Sequence, residues 1–150
     1  MKTILGIDPG LETLGYAIIQ QDKTILDFGV IITSSKNTLS ERLLEIQEEF
    51  EKLINLHKID LMVIEKLMFV QNVTSGIQVA HARGVVLAEA EKKGLLIAEL
   101  QAKEIKSMVT GYGNAPKDQV KAMVKKIFNL EHTKVKDDAT DALAIAYCGL

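Results

Sequence analysis

Four acidic residues of this sequence adjoin apolar segments, at positions where a folded chain can bring them together. Asp8 ends one apolar run, Glu65 ends a second, and Asp138 and Asp141 open a third. If the first two runs are neighbouring strands and the third is a helix packed against them, the four carboxylates converge on one place. The sequence therefore predicts a cluster of negative charge inside a folded domain.

Such a cluster indicates a metal site. Like charges a few ångströms apart raise one another's pKa and oppose folding unless a cation lies between them. Oxygen ligands without thiolate or imidazole neighbours favour Mg²⁺ or Mn²⁺ over zinc, and Mg²⁺ sites commonly act on phosphates. The predicted chemistry is cleavage or formation of phosphodiester bonds.

Each acidic residue also has a simpler explanation. Asp8 belongs to an Asp-Pro-Gly turn sequence, and Glu65 can form an ion pair with its neighbour Lys66. An aspartate at the start of the last segment can cap a helix, but this accounts for one of Asp138 and Asp141 and not for both. The four positions together are explained better by a shared site.

Composition limits the class of protein. At 150 residues and 47% hydrophobic, the chain is predicted to form one domain, residues 1–150. No apolar run approaches the roughly 20 residues that span a bilayer, so we expect no membrane association and a cytoplasmic location. The single cysteine, Cys148, lies in an apolar segment and is expected to be a buried, inert thiol.

Charge is distributed unevenly along the chain. A net charge of −2 argues against a generally basic protein that wraps nucleic acid. Lysines are nevertheless concentrated in the last third, where a solvated surface is the simplest interpretation of any one of them. These lysines are residues 103, 106, 117, 121, 125, 126, 134 and 136.

Hydrophobic periodicity predicts a mixed α/β fold. Strands are predicted at residues 3–7, 15–20, 25–33, 59–64 and 95–100, and helices at 39–57, 74–93, 102–109, 116–128 and 137–148. The first three strands have short connections typical of an antiparallel meander, and the later strands alternate with helices. We expect a five-stranded mixed sheet with helices on both faces and with the first strand central. Helix 74–93 is apolar on more than one face, which favours contact with a partner subunit.

The order and spacing of several motifs resemble one family across essentially the whole chain. These motifs are ILGIDPG (4–10), GY (15–16), VIE (63–65), ARGV (82–85), VTGYGNA (109–115) and DDATDALA (137–144). Asp-Pro-Gly alone is common, whereas the TGYGNA and DDATDALA segments together are specific. The chain resembles the RuvC family of Holliday junction resolvases.

The resemblance implies a ribonuclease H-like fold and a homodimer that nicks two opposed strands of a four-way DNA junction during recombination and repair. It also implies dependence on Mg²⁺, with two ions per active site and Mn²⁺ as a substitute, and a branch-migration motor as a partner. The catalytic, metal-binding carboxylates of the family correspond to Asp8, Glu65, Asp138 and Asp141, although some members carry histidine at the position of Asp138.

Residues expected to contact DNA follow from the same resemblance. Family lysines near the scissile phosphate correspond to Lys106 and Lys117, and Arg83 corresponds to a position near the DNA or the dimer surface. Members usually place a base-stacking aromatic three residues after the catalytic glutamate, where this chain has Met68 followed by Phe69. Stacking by Phe69 and altered junction recognition are both open at this point.

Two other functions remain alternatives. One is a ribonuclease H-like nuclease that processes RNA, against which the TGYGNA segment and the paired aspartates argue. The other is a protein that binds branched nucleic acid without cutting it. Four retained carboxylates disfavour that reading, because concentrated negative charge repels phosphates.

Overall fold

The computed structural model describes residues 1–67 and 73–150. The strands in these ranges are β1 (Thr3–Asp8), β2 (Thr13–Gln20), β3 (Ile25–Ile32), β4 (Leu61–Glu65) and β5 (Leu96–Leu100). The helices are α1 (Leu39–Leu56), α2 (Val73–Lys92), α3 (Ala102–Thr110), α4 (Lys117–Ile127) and α5 (Asp137–Tyr147). All predicted elements are therefore observed, with their ends shifted by a residue or two.

The described strands form one mixed sheet in the order β3-β2-β1-β4-β5, so the prediction that the first strand is central is confirmed. β1 pairs antiparallel with β2 and parallel with β4, and β4 pairs parallel with β5. Parallel neighbours need long crossovers, which α1 and α2 provide. The carboxyl ends of β1 and β4 consequently meet at the same edge of the sheet.

Alternation along the strands divides the core between the two faces of the sheet. Leu5 and Ile7 of β1 belong to the cluster formed with α1 and α2, whereas Ile4 belongs to the cluster formed with α3, α4 and α5. In β4, Met62 and Ile64 face the first cluster and Val63 the second. The prediction of helices on both faces is confirmed.

Local sequence explains where α1 begins. The hydroxyl of Thr38 accepts a hydrogen bond from the backbone N–H of Glu41, and the Glu41 carboxylate accepts one from the backbone N–H of Thr38. This reciprocal capping satisfies two N–H groups that the first helical turn leaves without partners. Buried side chains such as Phe50 then attach α1 to the sheet.

Glycines on the central strands allow α5 to lie unusually close to the sheet. A Cβ atom at Gly6 of β1 would overlap the backbone of Ala142 and Ala146 in α5. A Cβ atom at Gly15 of β2 would overlap the carbonyl oxygen of Asp138. Only glycine permits these contacts, so two strand positions set the depth at which the acidic end of α5 lies.

Cys148 is buried, as predicted, and burial raises the pKa of its thiol to about 12. Within residues 1–67 and 73–150, no helix combines the length and apolar character needed to cross a membrane.

Replacement of Gly6 by alanine is predicted to lower the free energy of unfolding by about 1–3 kcal/mol or more, as overpacked cores do. The added methyl group can be accommodated only if α5 moves away from β1. Urea denaturation followed by circular dichroism measures the change.

Gly84→Ala is the matched control. A Cβ atom at this position of α2 meets nothing within 4 Å, and alanine is a better helix former than glycine by about 1 kcal/mol. We expect Gly84→Ala to equal or exceed the wild-type stability. A Gly6→Ala protein as stable as the wild type would contradict the close packing of α5.

Candidate active site

Strand alternation directs Asp8 and Glu65 to one face of the sheet. Gly6 of β1 and Val63 of β4 face α5. Asp8 lies two positions after Gly6, and Glu65 lies two positions after Val63, so both face the same side. Both are the last residues of their strands, where the parallel pair β1 and β4 ends. The predicted meeting of Asp8 and Glu65 at the sheet edge is therefore observed.

The first turns of α5 supply the other two carboxylates. Carboxylate oxygens of Asp8, Asp138 and Asp141 lie within 4.8 Å of one another. Glu65 lies outside this tight group, but it borders the same cavity of about 370 Å³. All four predicted carboxylates therefore share one cavity, in which three of them form a close cluster.

Burial and mutual repulsion strongly affect Asp8. Loss of hydration on burial, followed by the negative charges of Asp141, Asp138 and Glu65, raises the pKa of Asp8 to about 8. A hydrogen bond to Asp138 acts in the same direction. Asp8 therefore resists ionisation at neutral pH in the absence of a counter-charge.

Two lysines partly offset the rise in pKa at the neighbouring carboxylates Glu65 and Asp141. Burial raises the pKa of Glu65 and of Asp141, whereas the charge of Lys117 lowers both. Lys106 also lowers the pKa of Glu65. The two lysines expected to contact DNA thus border the cavity together with the acidic residues.

Ion pairs link the start of α4 to the start of α5. Lys117 Nζ lies 3.9 Å from Asp141 Oδ2, and Lys121 Nζ lies 2.8 Å from Asp137 Oδ2. The second pair was not anticipated from sequence, although the spacing of Lys117 and Lys121 by four residues places them on one face of a helix. Together the pairs hold the acidic end of α5 beside α4.

Arg83 contacts this region from the other side of the sheet. Its Nε donates a hydrogen bond to the backbone carbonyl oxygen of Glu65 at 3.2 Å, and its terminal nitrogen pairs with the carboxylate of Glu99. The Arg83 side chain is 14% exposed. Met68 and Phe69, the predicted stacking positions, lie outside the described residues.

The chemistry of the donors fits a hard divalent cation. The described residues that line the cavity provide carboxylate oxygens and lysine nitrogens, and include neither histidine nor cysteine. Burial raises the pKa of Asp8, and the negative charges of Asp141, Asp138 and Glu65 raise it further, so a nearby positive charge would favour its ionised form. A cation held by Asp8, Asp138 and Asp141 would supply that charge.

Several known proteins are similar to this chain over nearly its whole length. The family model described as crossover junction endodeoxyribonuclease RuvC matches residues 4–149. The crossover junction endodeoxyribonuclease RuvC of Petrotoga mobilis is 45% identical over 148 residues, covering 97% of this chain and 91% of the relative. The protein of the same name from Ruminiclostridium cellulolyticum is 41% identical, covering 97% and 89%.

A solved structure of a protein with the same family name has the same fold. Thermus thermophilus RuvC, determined in complex with a Holliday junction substrate, superposes with a TM-score of 0.88 at 25% identity. The match covers 99% of this chain and 92% of the other.

The mixed sheet with carboxylates at the ends of β1 and β4 defines a nuclease of the ribonuclease H-like class. Within that class, the chain belongs to the RuvC family of crossover junction endodeoxyribonucleases. The resemblance inferred from the sequence motifs and the prediction of an endonuclease are confirmed.

Asp8→Asn is predicted to stabilise the metal-free protein, because burial and the neighbouring carboxylates disfavour ionisation of Asp8 and asparagine has no carboxyl group to ionise. The pKa of Asp8 rises from 3.8 to about 8 on folding, so the wild type loses stability as pH increases between these values. The gain from Asp8→Asn should be small near pH 4 and reach roughly 2–4 kcal/mol near pH 8. Urea denaturation in a chelating buffer measures it.

Asp22→Asn provides the comparison. Asp22 is exposed, and its carboxylate accepts a hydrogen bond from the backbone N–H of Thr24, which lowers its pKa. This variant should differ from the wild type by about 0.5 kcal/mol or less, as surface substitutions do. If Asp8→Asn were destabilising at pH 8, burial and repulsion would not be the main effects on Asp8.

Proposed function

We propose that this chain resolves Holliday junctions by metal-dependent nicking of two opposed strands. The observation that carries the proposal is the clustering of Asp8, Asp138 and Asp141 within 4.8 Å, in a cavity bordered by Lys106 and Lys117. Membership of the family, and a solved relative bound to a Holliday junction substrate, support the choice of substrate.

The four carboxylates would hold the metal. Asp8 is the proposed shared ligand because it lies at the centre of the acidic cluster, and Asp141, Asp138 and Glu65 complete the set. Their oxygen chemistry suits Mg²⁺, with Mn²⁺ as a substitute and two ions per site. The chemistry that bound cations supply is activation of the attacking water and stabilisation of the leaving 3′ oxygen.

Two lysine side chains, Lys117 and Lys106, would act on the DNA phosphates. Lys117 is 68% exposed and lies 3.9 Å from Asp141, so it can reach both the cluster and a bound strand. It would neutralise charge that develops on the phosphate, and Lys106 would bind the backbone beside it. Met68 and Phe69 remain predicted DNA contacts, whereas the guanidinium of Arg83, predicted to lie near the DNA or the dimer surface, is engaged by Glu65 and Glu99.

A homodimer would place two such sites on a symmetric junction. The proposed interface is the outer face of α2, where Val73 is 68% exposed and Ile77 is 53% exposed. Apolar exposure of this kind is typical of contact surfaces. A two-fold axis relating two sites explains how a single nuclease domain, residues 1–150, can cut two strands of the same junction.

The same proposal includes the cellular role. Paired nicks in a four-way junction separate recombined duplexes, so the enzyme would act in homologous recombination and DNA repair. Its location would be cytoplasmic, and a branch-migration motor would bring junctions to it.

Cleavage of a synthetic mobile four-way junction tests the proposed function. We expect paired symmetric nicks with Mg²⁺, none with chelator, and none in a matched linear duplex, all resolved on a denaturing gel. Asp8→Asn should reduce the single-turnover rate by at least about 10³-fold while retaining junction affinity, because the central ligand is lost.

Asp22→Asn changes an exposed aspartate in the turn after β2, and this variant should cut at the wild-type rate. Wild-type cleavage by Asp8→Asn would remove the catalytic assignment. Binding of the junction without cleavage by the wild type would favour a non-cleaving binding protein, and cleavage of structured RNA in preference to the junction would favour an RNA-processing nuclease.

The dimer is tested by analytical ultracentrifugation at micromolar concentration. We expect the wild type to sediment as a dimer and Ile77→Glu to sediment as a monomer, because a charge is placed in the apolar interface. Met108→Glu is the control, since Met108 is 51% exposed on α3. A monomeric wild type, or equal effects of the two substitutions, would contradict the assignment of α2.

A further inference from the structure

Glu65 differs from the other three carboxylates in how it is held. Asp8, Asp138 and Asp141 lie close together where α5 packs on β1 and β2. Glu65 borders the cavity from outside this group and is the last residue of β4. Its position in the site therefore depends on the backbone at the end of that strand.

Arg83 holds this backbone from the opposite face of the sheet. The hydrogen bond from its Nε ends on the carbonyl oxygen of Glu65 itself. Ala82, the preceding residue of α2, is fully buried, so the helix that carries the guanidinium is packed against the sheet. The bond thus connects a packed helix to the backbone of one proposed metal ligand.

Glu99 orients the guanidinium. It lies in β5 directly opposite Ile64 of β4, and it shares a sheet face with Ile97, which packs against α2. Its carboxylate pairs with the terminal nitrogen of Arg83, while Nε reaches the adjoining strand. A planar guanidinium bound at two places has little freedom to rotate.

The sheet adds one further bond on this side of Glu65. The backbone N–H of Lys66 donates to the carbonyl oxygen of Leu100 at 2.8 Å. Arg83 also borders a cavity of about 340 Å³ together with Asp8, Glu65 and Lys66. The Arg83 bond and the Lys66 bond therefore both fix the backbone at the end of β4.

We infer that Arg83 is a positioning residue that fixes the backbone of Glu65 and thereby directs its carboxylate into the site. The inference rests on the proposed function for the role of Glu65. It differs from a DNA-contact role, because its effect is exerted through Glu65 in the absence of DNA. Groups that orient metal ligands in this way typically change metal affinity or activity by about 10–100-fold when removed.

Mn²⁺ binding to the DNA-free protein, measured by electron paramagnetic resonance, is the direct test. We expect Arg83→Gln to bind Mn²⁺ roughly 10-fold more weakly than the wild type. Arg83→Lys, which keeps one donor but not the fork, should recover part of the affinity. Glu99→Gln, which keeps the guanidinium but weakens its anchor, should lie between Arg83→Gln and the wild type.

Arg42→Gln is the matched control. Arg42 of α1 also donates a hydrogen bond through Nε, in this case to the hydroxyl of Thr33 at 2.9 Å. Its loss removes a comparable guanidinium contact away from the acidic cluster. This variant should bind Mn²⁺ as the wild type does.

Junction binding in chelator separates positioning from DNA contact. For Arg83→Gln we expect affinity within about twofold of the wild type and a single-turnover rate at saturating junction reduced roughly 10–100-fold. Weaker junction binding with unchanged Mn²⁺ affinity would overturn the inference and make Arg83 a DNA contact. Unchanged Mn²⁺ affinity together with an unchanged rate would also overturn it.

Other outcomes remain informative. If Arg83→Gln fails to fold by circular dichroism, Glu99→Gln decides: wild-type Mn²⁺ affinity in that variant overturns the inference. If the wild type binds Mn²⁺ but does not cut the junction, the proposed function fails, and the Mn²⁺ series still decides the role of Arg83. If the wild type binds no Mn²⁺, both are overturned.

Discussion

The close packing of α5 on the two central antiparallel strands is the constraint on which the site depends. Because Gly6 and Gly15 have no side chain, α5 lies directly on the backbone of β1 and β2. Gly15 is also the cross-strand partner of Asp8, so the helix reaches the sheet at the position where the strand carboxylate projects. The distances among Asp8, Asp138 and Asp141 follow from this contact.

The close packing of α5 on β1 and β2 brings together carboxyl groups whose negative charges repel one another. Burial and the neighbouring carboxylates raise the pKa of Asp8 to about 8, while Lys117 opposes the same effect at Asp141 and Glu65. The hydrophobic clusters on both faces of the sheet must overcome this repulsion for the protein to fold. The charge that destabilises the metal-free protein is also what would give a divalent cation its affinity, so stability and the proposed function are opposed at Asp8.

Sequence reasoning predicted the elements, the central position of β1 and the convergence of the carboxylates, because these follow from hydrophobic periodicity and from residues at strand ends. It missed two kinds of contact between residues distant in sequence, namely the packing of glycines against α5 and two ion pairs. The importance of Gly6 and Gly15 depends on which helix lies over them, although a glycine inside a buried strand is a usable signal of close backbone approach. The Lys121–Asp137 and Arg83–Glu99 pairs depend on how helices dock, which periodicity does not determine.

The most direct test of the account is thermal unfolding of the wild-type protein at pH 7.5 with and without Mn²⁺, in the absence of DNA. A ligand that binds only the folded state raises the melting temperature, by an amount that grows with its concentration. If cations relieve repulsion at the cluster, Mn²⁺ should raise the melting temperature of the wild type and have little effect on Asp8→Asn. An unchanged melting temperature, or an equal rise in both proteins, would contradict a metal site built on the repulsion at Asp8.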